Sequence, residues 1–366
     1  MTVIGRKGGM DHIADLTTNQ IETRPDLNIQ VTRLVTRGDC NILLGSIIFL
    51  LALARFVVAV LRGQVDLLHI NLAAYGSAYR KIIIARIARF LGIPYVVHLH
   101  GGRFVEFWPA AMPVIRRAVD RMFLESAKII VLGQFWADFI VDRVSVVGNK
   151  IVILPNATNA VSIGEPSDDA EIKIVYLGAL SPLKGVPELI EAFAKLADRS
   201  SWSATVAGPG EILGARTRVQ KLGIGDRVTI PGWLGPGEVD RILRRAHILV
   251  LPSHIENLPL SVLEGFAYGL AVVATPVGAI PEVIQHERNG LIVPVGDIDA
   301  LAATLRRLIE DRELRLRLGA AARQDHADRY DIRVYVSRLA AIWREAQASQ
   351  ARIGRAESGV AQRSDI

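Results

Sequence analysis

One cysteine, Cys40, stands among 366 residues. It excludes an intramolecular disulfide and suits a reducing compartment, and no His/Asp pattern surrounds it to make it a nucleophile. The opening stretch Met1–Leu16 has no apolar core: Arg6, Lys7, Asp11 and Asp15 alternate with glycines, so it does not read as a secretory signal. No Gly-x-Gly-x-x-Gly opens the chain, which argues against a dinucleotide-dependent dehydrogenase. Zinc, RNP and recognition-helix signatures are missing too, so nucleic acid is not an expected partner. Paired aspartates at a strand end, the mark of metal-dependent sugar transferases, do not occur. Asp297-Ile298-Asp299 falls at a helix start and reads as an N-cap pair, so no required metal is expected.

What the chain has in plenty is apolar surface. Half its residues are hydrophobic and the mean hydropathy is positive. The length suits two domains of roughly 150–180 residues. The net charge of +6 is unevenly spread: residues 1–164 hold 18 Lys+Arg against 11 Asp+Glu, and the remainder 25 against 26. A basic half beside a neutral half implies different partners for the two. Because the bases sit beside very apolar helices, an anionic membrane surface is the expected partner of the first half. Residues Ile42–Leu61 are long enough to span a bilayer, broken only by Gly45, Ser46 and Arg55. A span would split the first domain, and a central charge would cost a few kcal/mol. Arg55 and Arg62 share a helix face and can snorkel. The segment is therefore expected to be a core helix with one face on the membrane.

Short apolar runs alternate with helical stretches throughout, the pattern of parallel strands joined by helices. In the first half, strands are expected at Val65–Asn71, Tyr95–Leu99, Ile129–Leu132 and Ile151–Leu154, with a helix at Ser77–Leu91. Thr2–Ile4 is short for a central strand, which needs about five or six residues, so the natural start is expected upstream. Pro, Ser, Gly and acidic residues gather near Asn156–Ser167. This sets a first domain at 1–164 and a second at 165–330. The second carries strands at Lys173–Leu177, Ser203–Ala207, Arg227–Ile230, Ile248–Leu251, Ala271–Ala274 and Gly290–Val293. A helix at 331–345, including Tyr335 and Trp343 and crossing back to the first domain, and a polar, disordered tail at 346–366 complete the plan. The fold class is α/β, two Rossmann-like doubly wound domains facing across a cleft, since ligands bind at the carboxyl ends of such strands.

The strongest chemical signal is the run from Pro252 to Glu282. A buried strand ends at Leu251, Glu256 follows in a loop, and Pro259 is placed as the first helical residue, where its missing N–H costs nothing. The N–H groups of that first turn can hold a phosphate. Glu264 lies eight residues after Glu256, so the two carboxylates bracket the anion site, one able to reach a ribose and the other a sugar. An isolated pair of this kind reads as readily as two solvated acids around a helix cap.

This segment resembles the Glu-x7-Glu region of retaining family 4 glycosyltransferases, which have the two-domain GT-B fold. The likeness continues through Gly269, Ala274-Thr275-Pro276, Gly278, Pro281-Glu282, Asn289-Gly290-Leu291 and Val293-Pro294. It implies that Glu264 bonds the ribose, that Glu256 lies near the transferred sugar, and that the backbone at Asn257–Leu258 contacts sugar and phosphate. Tyr176–Gly185 is similar to the family's donor-diphosphate loop, with Lys184 as its ammonium and Ala179 where an arginine is frequent. By the same resemblance Gly178, Ala207-Gly208-Pro209-Gly210 and Pro231-Gly232-Trp233-Leu234 line the donor, the last meeting the nucleobase. Gly8-Gly9 is similar to the glycine-rich loop of the first domain. His100, ending Val97-His98-Leu99-His100-Gly101-Gly102, stands where the family has a histidine near the sugar's hydroxyls, and a hydrogen-bonded strand-end histidine is the plainer reading. Alternation puts His98 on the same side. His69 and Asn71 alternate at another strand end, lining the acceptor side or capping a loop. Gly76-Ser77 with Arg80-Lys81 is similar to members acting in exopolysaccharide assembly, and Arg80, Lys81, Arg86 and Arg89 read as a membrane- or phosphate-facing set or as a solvated basic face.

The expected activity is a retaining, metal-independent transfer of a hexose-type sugar from a nucleotide diphosphate donor to a lipid-linked or membrane-surface acceptor. His100, Lys184 and Glu256 are the catalytic candidates. Gly8, Gly9, Gly178, Lys184, Gly208, Gly232, Trp233, Glu256, Asn257, Leu258, Pro259 and Glu264 bind the donor. No cofactor is expected beyond the nucleotide sugar as co-substrate, and the expected location is cytoplasmic, at the inner face of the cell membrane. Two rivals remain: a nucleotide-sugar epimerase of the same fold, and a non-catalytic partner that binds donor or lipid.

Overall fold

Runs of valine, isoleucine and leucine that are apolar on both faces form parallel strands covered on both sides by helices. The computed structural model describes residues 2–4, 9–37, 42–163, 171–196, 198 and 201–361. The chain divides into two compact units, Met1–Pro155 with Ile332–Ile366, and Asn156–Asp331.

Six strands build the first sheet: β1 (Thr2–Ile4), β2 (Arg33–Val35), β3 (Leu68–Leu72), β4 (Tyr95–Leu99), β5 (Lys128–Val131) and β6 (Ile151–Ile153). They are parallel, in the order β2-β1-β3-β4-β5-β6. Every residue of β3 and β4 is buried, and the register sets Asn71 opposite His98. The core beneath gathers Phe56, Leu68, Ile70, Val97, Phe104, Trp108, Phe123 and Trp136.

The second sheet holds β7 (Ile172–Leu177), β8 (Trp202–Ala207), β9 (Val228–Gly232), β10 (Ile248–Leu251), β11 (Ala271–Ala274) and β12 (Leu291–Ile292). Its order is β12-β11-β10-β7-β8-β9, again parallel. The sequence direction of the sheet reverses between β7 and β10. Loops leaving two such strands diverge, and the crevice at their carboxyl ends is where doubly wound sheets bind ligands.

Four expectations need correction. The second unit begins at Asn156, ahead of the expected 165, because Thr158 already bonds back into it through Tyr330 and His326. The closing helix runs Ile332–Ala361 instead of stopping at 345, since the stretch after Glu345 is rich in Ala, Gln and Arg, which favour helix. Ile42–Leu61 is one helix, but not a core helix. Among its described side chains only Ala52 and Phe56 are buried, with Phe49, Leu53, Ala59 and Val60 packed partly against the core. Leu43, Leu44, Ile47, Leu50, Leu51, Val58 and Leu61 are exposed. Lys81 belongs to no outward basic face: it is fully buried and donates to Thr36 Oγ1 at 2.8 Å. Burial, then the charge of nearby Arg80, pushes its pKa down to about 7.

Candidate active site

The second unit concentrates its chemistry at the reversal between β7 and β10. The loop after β7 turns at Pro182–Lys184 and brings the Lys184 ammonium to the loop after β10. There Lys184 Nζ donates to Glu256 Oε1 at 2.6 Å and to the Ile255 carbonyl at 3.1 Å. Ser253 Oγ donates to the same Glu256 oxygen at 2.9 Å. Glu256 is thus held from two sides and only 11% exposed. The two loops can meet because residue 185 is glycine. Gly185 has φ +69°, and a side chain there would stand 2.0 Å from the Pro252 carbonyl oxygen. Gly278, at φ +58°, likewise lets the loop after β11 close over the carbonyls of Glu256 and Asn257. Ala279 N–H donates to the Asn257 carbonyl at 2.8 Å.

The helix Leu260–Ala267 starts directly after this turn. Pro259 is its N-cap, with extended ψ of 134°, and not the first helical residue expected. The first-turn N–H groups of a helix have no acceptor within it and carry partial positive charge, and the loop that carries Glu256 leads straight into them. Asn156 Nδ2 donates to the Leu258 carbonyl at 2.8 Å and fixes the backbone at the helix start. Glu264 lies inside the helix, partly buried. Desolvation pushes its pKa up to about 7, so the carboxyl stands near half-ionisation at neutral pH.

The glycines expected along the donor line the carboxyl edge of the sheet. Gly178 follows β7, Gly208 follows β8, and Gly232 ends β9. Their backbones interlock, with Gly178 N–H on the Ala207 carbonyl at 3.1 Å and Gly208 N–H on the Gly232 carbonyl at 2.8 Å. Trp233 is 68% exposed beside them. Ala179 gives its carbonyl to Tyr176 Oη at 2.8 Å. Lys184 is the cation that the described residues place against Glu256.

In the first unit, Gly8 lies outside the described residues and Gly9 opens the helix Gly9–Glu22. His100 follows β4 directly, and its ring packs on His98 with centroids 3.9 Å apart, as strand alternation requires. His100 Nε2 and His69 Nε2 both contact Asn71 Oδ1, at 2.9 and 3.2 Å. His98 Nδ1 lies 3.3 Å from His69 Nε2, and Trp343 Nε1 donates to His69 Nδ1 at 2.9 Å. His69 and Asn71 are thus parts of one buried polar cluster with His100. Desolvation, then the proximity of His69, pushes the His100 pKa down to about 3, so the ring is neutral at physiological pH.

Sequence reasoning missed three supports. Ser253 stood inside the quoted run, three residues before Glu256, and that spacing was its only signal. Asn156 had none, lying 102 residues from the carbonyl it holds. Trp343 falls in the last expected helix, where the sequence gives it no role, and its bond to His69 crosses 274 positions. Among the described residues no cluster of three or more His, Cys, Asp or Glu side chains is placed to hold a metal ion.

Residues 161–325 match the family model described as glycosyl transferases group 1, and residues 13–157 match the glycosyl transferase 4-like domain. The alpha-D-kanosaminyltransferase of Streptomyces kanamyceticus is 27% identical over 70% of this chain and 72% of its own length. Three further relatives match over less than half of their own length, while the 2-deoxystreptamine N-acetyl-D-glucosaminyltransferase of Streptomyces fradiae, 27% identical, matches over 84% of this chain and 79% of its own. Among solved structures, sucrose-phosphate synthase from Thermosynechococcus elongatus superposes with a TM-score of 0.76 at 17% identity, covering 95% of this chain and all of that one. Anabaena HepE in complex with UDP superposes with a TM-score of 0.72 at 17% identity, over 93% and 98% of the two chains. With two doubly wound units, and with family models covering both, the chain belongs to the group 1 glycosyltransferases, family 4-like in its first unit and GT-B in fold.

Proposed function

We propose that this glycosyltransferase moves a hexose-type sugar, with retention of anomeric configuration and without a metal, from a nucleotide diphosphate donor to a lipid-linked or membrane-surface acceptor in glycan assembly. The observation that carries the reading is the contact of Lys184 with Glu256 at the start of the Leu260–Ala267 helix. A diphosphate leaving with growing negative charge needs fixed cations and dipoles, and this locus supplies both. The UDP complex of HepE supports a nucleotide diphosphate as the donor's leaving group. Glu264 is assigned to the ribose, Glu256 to the surroundings of the transferred sugar, and His100 to the sugar's hydroxyls.

The acceptor reading rests on the first unit. The Leu43–Leu61 window is long and apolar enough to cross a bilayer, and 11% of it is buried. The apolar stripe of Leu43, Ile47, Leu50, Val58 and Leu61 faces solvent while the opposite stripe docks on the core. A helix held along one side in this way suits lying in the membrane surface, at the inner face of the cell membrane. Incubation of the protein with labelled nucleotide sugars and membrane lipid extract tests the whole reading. Label in the lipid phase supports it. Altered free sugar would mark an epimerase, and unchanged donor a binding partner without turnover.

A further inference from the structure

Within the second unit, His254, Ile255 and Glu256 of the loop after β10 are all bonded to the segment that follows β7, and His254 is bonded twice. Its main-chain N–H donates to the Leu183 carbonyl at 3.0 Å, one residue before Lys184. Its ring Nε2 meets Glu188 Oε1 at 2.9 Å, four residues after Lys184. Between these two bonds Lys184 Nζ reaches the Ile255 carbonyl and Glu256, the next two residues of the facing loop. A carboxylate oxygen only accepts, so the His254 ring donates from Nε2. Glu188 suits the contact by its place. It is the third residue of the helix Val186–Ala194, where free first-turn N–H groups favour a carboxylate. That helix is anchored, with Val186, Leu189, Ile190 and Phe193 buried. Glu188 Oε2 is enclosed and has no hydrogen-bond partner among the described residues, so the carboxylate is held by His254. The ring also lies beside the loop after β12: a side chain at Gly296 would stand 3.8 Å from its Cε1.

We propose that His254 and Glu188 are positioning residues for the transfer: they hold the loop after β10 at the angle at which Lys184 meets Glu256, and act on the donor diphosphate only through Lys184. The proposal rests on the assignment of Lys184 to the diphosphate. One bond fixes the distance between two loops. Two bonds from one residue, one of the main chain and one of the side chain, fix their angle as well. The main-chain bond survives any substitution of His254, so the side-chain bond alone carries the angle. A misplacement of about 1 Å can cost on the order of a hundredfold in rate. Losing the pair therefore slows turnover, while the hold on the donor, spread over Gly178, Gly208, Gly232 and Glu264, changes little. An ion pair with no part in positioning behaves otherwise. Its loss lowers stability and weighs the same whether or not Lys184 is present.

Two measurements on the full-length chain test this. The first needs no substrate: nitrogen NMR of the protein labelled in lysine, with the Lys184 ammonium assigned by its loss in Lys184→Ala. An ammonium held by the Ile255 carbonyl and Glu256 exchanges its protons slowly, so a resolved signal is expected in the unmutated chain. His254→Leu, which removes the ring donor, should broaden that signal away, as should Glu188→Ala. His254→Gln, whose amide N–H can donate from the place of Nε2, should restore it. The second is steady-state transfer to membrane lipid extract from whichever of UDP-glucose, UDP-galactose and GDP-mannose is consumed. His254→Leu and Glu188→Ala should each lower kcat about ten- to a hundredfold, with donor KM within about threefold of the parent. His254→Gln should recover most of that loss. In the Lys184→Ala chain, His254→Leu should lower kcat no further. A Lys184 signal that is absent from the unmutated chain, or unchanged in both variants, overturns the proposal. An equal loss of kcat with and without Lys184 overturns it too. Should His254→Leu fail to fold, Glu188→Ala breaks the same bond and carries the test. Near-normal turnover of Lys184→Ala, or no transfer from any of the three donors, would count against the donor reading instead, and the spectrum would still decide the positioning.

Discussion

The Lys184 ammonium lies 2.6 Å from the Glu256 carboxylate, and both hang from loops leaving the two strands between which the second sheet reverses its order. The pair occupies the crevice where a doubly wound sheet binds ligands, and it is partly buried without being sealed, at 27% and 11% exposure. Removing either partner leaves the other without its counter-charge in a partly dry place.

The first prediction follows directly. With Ala179 in the position of the frequent arginine, Lys184 is the cation of its own loop. Lys184→Ala should lower turnover by on the order of a hundredfold or more, the range for losing one preorganised charge-stabilising group. Steady-state kinetics with folding checked by circular dichroism measures it. Near-normal turnover in this variant would remove the diphosphate from this locus.

Glu264 gives a pH signature. Its pKa is pushed up to about 7 in the folded chain from an ordinary 4.5, so the protonated form favours the fold. Its contribution to stability is complete below pH 4.5 and is lost as pH rises through 7. Glu264→Gln, which stays neutral, should escape this loss and unfold later than the unmutated chain at pH 8, by on the order of 1–3 kcal/mol. Ribose hydroxyls donate to a carboxylate and favour its ionised form, so nucleotide binding should release a proton and tighten between pH 6 and pH 8. Calorimetry in buffers of different ionisation heat reads the proton count. Proton uptake on binding, or an affinity flat across that range, counts against the ribose assignment.

Much of this was legible in the sequence. The strands β4, β10 and β11 ended where their apolar runs ended, and the loops after β7 and β10 carried a pattern specific enough to name Lys184, Glu256 and Glu264. The strand β2 was not legible, because Leu34 is its only buried residue and three residues show no period. The Ile42–Leu61 helix was legible as a helix but not in its placement: it is apolar all round, so nothing in its pattern says which side meets protein. Asn156 and Trp343 act through bonds to residues distant in sequence, and a single chain carries no trace of such pairings. Pro259 was misplaced by one position, the ordinary uncertainty of a helix boundary.

Gly185 supplies a test of the scaffold. Its φ of +69° is costly for any residue with a side chain, and a Cβ would collide with the Pro252 carbonyl oxygen. Gly185→Ala should cost about 1–3 kcal/mol of stability and should separate Lys184 from Glu256. Urea unfolding gives the first number, and turnover of the folded variant reports the second effect. A variant as stable and active as the parent would mean that the two loops do not meet as described.

The exposed stripe of the Ile42–Leu61 helix should hold the protein on membranes together with the basic surface of the first unit. Each basic residue near anionic lipid contributes about 1 kcal/mol. High-salt or alkaline washing should therefore release much of the protein, and Ile47→Lys with Leu50→Lys should abolish sedimentation with anionic vesicles while leaving the fold intact, since both side chains are exposed. Protein that resists both washes and yields only to detergent would show that the helix crosses the bilayer.

A retaining transfer whose charge is handled by Lys184 and a helix start, with no metal, would form an α-linkage from an α-linked donor whether or not divalent cations are present. The most direct measurement is proton NMR of the glycosidic bond formed in the presence of a strong chelator, from an α-linked donor of the matching base. An α-linked product at an undiminished rate is expected. A β-linked product, or transfer that stops with chelator and returns with a divalent cation, would contradict it.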